Sequence, residues 1–140
     1  MPAINWTFLC DYAYVDANGR ASIIRTFTFI RGPRLPFRYP QMFLAMEYMA
    51  DMSESFTIGA AISAPSGKQV ARVQLKKNSQ GDRVGQVQKG VLPLGFYNVK
   101  FEEEGEHHVE IFINEQAVHF LPLMIHTQVH TPPTEEKPSP

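Results

Sequence analysis

Along most of the chain, apolar and polar residues alternate between regularly spaced turn signals. In WTFLCDYAY, Trp6, Phe8, Cys10, Tyr12 and Tyr14 share one parity, which is the two-residue period of a strand. In ASIIRTFTFI, Ile23, Phe27 and Phe29 fall on one face while Thr26 and Thr28 fall on the other. SFTIGAAIS, KQVARVQLK, FYNVKFE, HHVEIFI and AVHFLPLMI continue the series, rich in the aromatic and β-branched residues that suit a pleated, half-buried surface. The separators are DANG (16–19), RGPRLP (31–36), APSG (64–67), NSQGD (78–82) and EEEG (102–105). Short strands at this spacing predict an all-β antiparallel sandwich of about seven or eight strands, immunoglobulin-like or C2-like.

One segment fits two periods. In QMFLAMEYMADM the methionines at 42, 46, 49 and 52 recur at helical spacing, yet Met42, Leu44, Met46 and Tyr48 also share a strand face. Pro40 precedes it and SFTIGAAIS follows after too short a gap for a crossover, so the expectation is a strand running into a loop, with a short helix as the alternative. Either way the methionines read as core filler. The chain's end, TQVHTPPTEEKPSP, is polar and proline-rich without an apolar period. Residues 1–126 therefore read as one sandwich domain and 127–140 as a flexible tail that buries too little to offset its ordering entropy.

Composition narrows the class further. A chain of 140 residues, 44% hydrophobic and 19% charged, is long enough for one core without a covalent staple. Its net charge of -1 supplies no field toward nucleic acid or an anionic membrane, and neither is expected as a partner. No apolar run reaches the roughly 18 residues of a spanning helix, and MPAINWTFLCDY lacks the basic-then-apolar order of a signal peptide. The single cysteine, Cys10, rules out an internal disulfide framework and suits a reducing compartment. Its aromatic neighbours imply a buried, inert thiol. A cytoplasmic location is the resulting expectation.

Three pieces in order carry a resemblance. CDYAYVDANGRASIIRTFTFI pairs an Asp-containing strand with a second strand across a glycine turn. ISAPSGKQVARV closes a second pair, and EHHVEIFINEQAVHFLPLMI forms a last hairpin with a Leu-Pro-Leu ending. Spanning residues 10–125, this arrangement resembles a family of uncharacterised bacterial all-β domains of unknown function. The resemblance departs at Asn114-Glu115, where that family has Asp-Gly, and at His107 or His108, near its usual tyrosine. It implies a fold and brings no activity with it.

The last hairpin holds the densest candidate chemistry. With Asn114-Glu115 as a two-residue turn, Ile113 opposes Gln116, Val109 faces Phe120 and Ile111 faces Val118, which predicts one apolar core face. The other face then carries His108, Glu110 and Phe112 beside Ala117, His119 and Leu121. In that register Glu110 lies directly across from His119. His108, Glu110 and His119 would offer two imidazoles and a carboxylate to zinc or iron. The plain reading of the same pair is a solvent-facing cross-strand contact worth about 0.2–1 kcal/mol.

Elsewhere, RGPRLPFR places Arg31, Arg34 and Arg38 in a proline-containing loop able to meet phosphate or carboxylate. Arg72, Lys76 and Lys77 read as basic residues blunting a strand edge. Asp11 stands inside an apolar strand, where a hydrogen-bonded carboxylate is the expected state. GxSxG, CxxC, HExxH and phosphate-loop patterns do not occur. The leading expectation is a non-catalytic binding or assembly module with a protein partner or a second copy, no cofactor, and Arg31, Arg34, Arg38, Phe112 and Leu121 as contact residues. The rival is a metal-dependent site on His108, Glu110 and His119.

Overall fold

The structure, a computed structural model, describes residues 2–81 and 83–127, and no helix occurs among them. The strands are β1 (Ala3–Val15), β2 (Ala21–Phe27), β3 (Phe29–Gly32), β4 (Phe37–Asp51), β5 (Phe56–Ser63), β6 (Gln69–Lys77), β7 (Val87–Phe101), β8 (Gly105–Ile113) and β9 (Gln116–Thr127). They form a four-stranded sheet, β2-β1-β4-β7, and a five-stranded sheet, β3-β9-β8-β5-β6. Neighbours are antiparallel except β3 and β9, which run parallel. The predicted all-β sandwich is the fold observed. The ninth strand arises because ASIIRTFTFI divides at Thr28. Phe27 pairs with Leu9 in one sheet, Phe29 with Met124 in the other, and the Thr28 carbonyl accepts the Met124 amide at 3.0 Å.

Turn chemistry follows the sequence signals closely. Gly19 (φ 79°) and Gly67 (φ 94°) close DANG and APSG in the left-handed region that glycine adopts without strain. The Asp16 carboxylate accepts the amides of Asn18 and Arg20, holding the β1–β2 turn. Residues 41–51 extend as strand, not helix. Met42, Leu44 and Met46 are fully buried, and Tyr48 lies beside them in the main core. The strand phase prevails because β4 is central and needs one inward row along its length. Pro40 lies where β4 makes no ladder pair, between Tyr39↔Val99 and Gln41↔Tyr97, so its missing amide breaks nothing.

The core is a stack of ladder rows. Leu9, Leu44 and Leu94 form one row across the four-stranded sheet, and Leu75, Ile58 and Ile113 form one across the other. Most members of these rows are fully or nearly fully buried. Full burial of each such side chain contributes about 1.5–3 kcal/mol.

The last hairpin begins as expected and then departs. Asn114 and Glu115 take φ of 51° and 67°, the doubly left-handed two-residue turn, and Ile113 pairs with Gln116. One pair further, β9 bulges. Phe112 opposes Ala117 but Ile111 opposes His119, leaving Val118 as the extra residue. A one-residue bulge exchanges the faces of everything beyond it. Val118 and Phe120, expected in the core, are therefore exposed (41% and 61%). Leu121, expected on the contact side, packs inward against the core, with Leu123 and Ile125 following it. β9 runs through Thr127, and the rest of the predicted tail, 128–140, lies outside the described residues.

Candidate functional site

The bulge decides the fate of the histidine hairpin. His108 and Glu110 keep the outward face of β8, paired with Pro122 and Phe120 of β9. His119 pairs with the buried Ile111 and so points between the sheets, where its Nε2 lies 3.3 Å from the Thr7 hydroxyl of β1. The expected Glu110–His119 opposition is thus replaced by Glu110–Phe120, and the three side chains do not share a face. Among the described residues, no three His, Cys, Asp or Glu side chains converge as metal ligands would. His107, adjacent and fully buried, hydrogen-bonds the Gly105 carbonyl through Nδ1 at 3.1 Å. Its ring meets Phe101 edge-on at 5.4 Å.

The arginines of RGPRLPFR are spread rather than clustered. Arg31 belongs to β3, lies over the Phe29 ring at 5.9 Å, and borders a groove with Asp11, Arg25 and Tyr39. Arg38 belongs to β4, donates to the Asn98 carbonyl at 3.3 Å, and borders a different groove with Arg72 and Tyr97. Arg34 is exposed in the connection between the two strands. Phe112 sits on the outward face of the five-stranded sheet under the guanidinium of Arg72 (4.6 Å), which also pairs with Glu115 at 3.1 Å. β6, carrying Arg72, Lys76 and Lys77, is an edge strand as its charges suggested.

Two single residues behave as their neighbourhoods dictate. Asp11 is held by Arg25 across the β1–β2 ladder at 2.7 Å and by the Tyr39 hydroxyl at 3.4 Å. Cys10 is fully buried, with its thiol pushed up to about 11 by burial and then by the neighbouring Asp11 charge. It stays a thiol at neutral pH and offers no nucleophile.

The exposed chemistry lies elsewhere, on the outward face of the four-stranded sheet. Cys10, Phe43 and Gly95 form one ladder row there, and Phe8, Ala45 and Pro93 form the next. Cys10, Phe43 and Ala45 are buried, although only neighbouring side chains cover them. Apart from Ile23, those covers are aromatic. Tyr12 meets Phe43 at 5.1 Å, Tyr97 meets it at 5.9 Å, and Trp6 meets Phe8 at 5.5 Å. Phe8 (47% exposed), Tyr12, Tyr14 and Tyr97 (62%) are left toward solvent. Around the side of the sandwich this surface meets an uncharged groove of about 570 Å³, bordered by Thr7, Phe8, Thr28, Phe29, Leu121 and Pro122 among others. Phe29 is itself 51% exposed. The alternating aromatics of β1 were visible in the sequence. Which side of the sheet they occupy was not, because strand parity separates two faces without saying which is inside.

A family of unknown function (DUF6941) matches residues 5–126. No curated protein sequence matches the chain. Among solved structures, it is similar to an immunoglobulin-like protein from Pseudomonas aeruginosa, with 11% identity, a TM-score of 0.41, and 90% of this chain and 97% of that one covered. It is also similar to the Pseudomonas fluorescens alkylpurine DNA glycosylase AlkC bound to DNA containing an abasic site analog. There the identity is 11% and the TM-score 0.45, with 86% of this chain but only 30% of that chain covered.

Proposed function

This chain belongs to the family of unknown function DUF6941, and we propose that it is a non-catalytic protein-binding module. Its contact surface in this reading is the aromatic outward face of the four-stranded sheet. One observation carries the reading: Phe8, Tyr12, Tyr14 and Tyr97 stand exposed over the buried Cys10, Phe43 and Ala45, on a face that no third layer covers among the described residues. Large contiguous apolar patches are uncommon on monomeric proteins and mark contact sites. Tyrosine and tryptophan are the residues that most often dominate protein interfaces, joining apolar area to a polar tip at little entropic cost.

The test is capture on the immobilised full chain with quantitative mass spectrometry. Partners held by the wild type are expected to be lost from Tyr12→Ser/Tyr97→Ser and retained by Phe112→Ser, which alters the opposite sheet. Two interface anchors at about 2 kcal/mol each would weaken binding roughly a thousandfold. An identical set of captured proteins from wild type and double variant would refute the assignment of this face.

A further inference from the structure

The edges of the two sheets are unequally protected. β2 reaches only Leu9–Val15 of β1, so Ala3–Phe8 has β4 on one side and no strand on the other among the described residues. Such an edge displays main-chain donors and acceptors that another strand can pair with. Other edges carry the devices that discourage this. β2 holds Arg25 at a φ of 55°, β6 carries Arg72, Lys76 and Lys77, and β7 carries Lys89, Pro93 and Lys100. β3 has four residues and bears Arg31, while the open stretch of β9 is interrupted by its bulge and by Pro122. Ala3–Phe8, AINWTF, contains neither charge nor proline, and its one irregularity is at Asn5, whose side chain is tied to Glu47 at 2.9 Å.

We infer that this edge pairs with the same edge of a second copy, joining two four-stranded sheets across a two-fold axis. The inference rests on the protein-binding reading above and names its partner. Charge favours a second copy here: a two-fold axis pairs the segment antiparallel with itself, and AINWTF carries no charge that could face its like in any register. The basic edges of β6 and β7 would meet that repulsion. Pairing also brings Trp6 and Phe8 of the two copies side by side, extending the aromatic face across the axis. The adjacent groove lined by Thr7, Phe8 and Phe29 is uncharged, so the approach breaks no ion pair within it.

The test uses the full chain in sedimentation equilibrium over about a hundredfold range of concentration, with amide exchange measured at both ends of it. The mass is expected to rise from 15.9 kDa toward twice that value. Exchange in the peptide covering Ala3–Phe8 is expected to slow about tenfold or more in the concentrated sample. Phe8→Lys, at an exposed position, is expected to weaken association about thirtyfold, whereas Phe112→Ser, on the outward face of the other sheet, keeps the wild-type behaviour. Circular dichroism and melting establish that both variants fold. A wild type that holds the one-chain mass throughout overturns the inference, as does new protection in β6 or β7 instead of β1. Full protection of Ala3–Phe8 already in the dilute sample means that the edge is filled within one chain, and likewise overturns it. A monomeric wild type that still loses its captured partners through Tyr12→Ser/Tyr97→Ser sinks the second copy and leaves the binding module standing.

Discussion

Acidification is expected to weaken this fold through one side chain, His107. Its Nδ1–H donates to the Gly105 carbonyl at 3.1 Å, which leaves Nε2 a buried lone pair with no partner among the described residues. Protonating Nε2 would place a charged N–H where no acceptor waits, so burial, the largest influence, pushes this histidine below its ordinary value. The Gly105 bond and the charge of Glu103 oppose the shift, and His108 adds to it. The unfolded chain therefore takes up the proton first. The stability contributed by the neutral ring is complete above about pH 6.5 and declines as pH falls toward the folded-state value. The slope can reach at most about 1.4 kcal/mol per pH unit. Urea unfolding at about pH 7.5, 6.5 and 5.5 would measure it, with His107→Leu as the comparison. At the highest pH the leucine exchanges an unpartnered nitrogen for an unpartnered Gly105 carbonyl, so the two proteins should differ by no more than about 1–3 kcal/mol. Between about pH 6.5 and 5.5 the wild type should lose up to roughly 1 kcal/mol more than the variant, since the other histidines are common to both. Equal losses in the two proteins, or a larger loss in the variant, would show that this reading of His107 is mistaken.

A deletion and a substitution probe the backbone. Deleting Val118 removes the bulge residue yet keeps Ile111 opposite His119 and every pair beyond it. The deletion should be tolerated within about 1 kcal/mol, and a loss of several kcal/mol in chemical denaturation would mean that the bulge itself, not the register it sets, is required. Gly32→Ala should destabilise by about 1–3 kcal/mol, because an added Cβ would fall within the ring of Phe37, which packs on Phe101 at 5.6 Å. A melting temperature equal to that of the wild type would show that Phe37 can swing aside freely.

Much of the architecture was legible in the chain itself. Alternation between turn residues specified strands, and Asp16-Gly19, Ala64-Gly67 and Asn114-Glu115 sit at turns as their chemistry required. The burial of Cys10 and the basic edge at Arg72, Lys76 and Lys77 follow from the same local reasoning. These features depend on neighbours in sequence, which a period-two pattern records directly.

The candidate site did not follow in this way. His108, Glu110 and His119 converge only in an unbroken register, and one extra residue, Val118, turns His119 inward toward Thr7 while sending Phe120 to solvent. Nothing local marks that bulge. With it, Leu123 and Ile125 are fully buried and Leu121 packs against the core, contacts that exist only once the opposite sheet is in place. The same holds for β1. By itself the sequence determined that Trp6, Phe8, Cys10, Tyr12 and Tyr14 share a face. Tertiary structure alone decided that this face looks outward and that the edge beside it stays open. Inside and outside are properties of packed layers, and no single strand contains them.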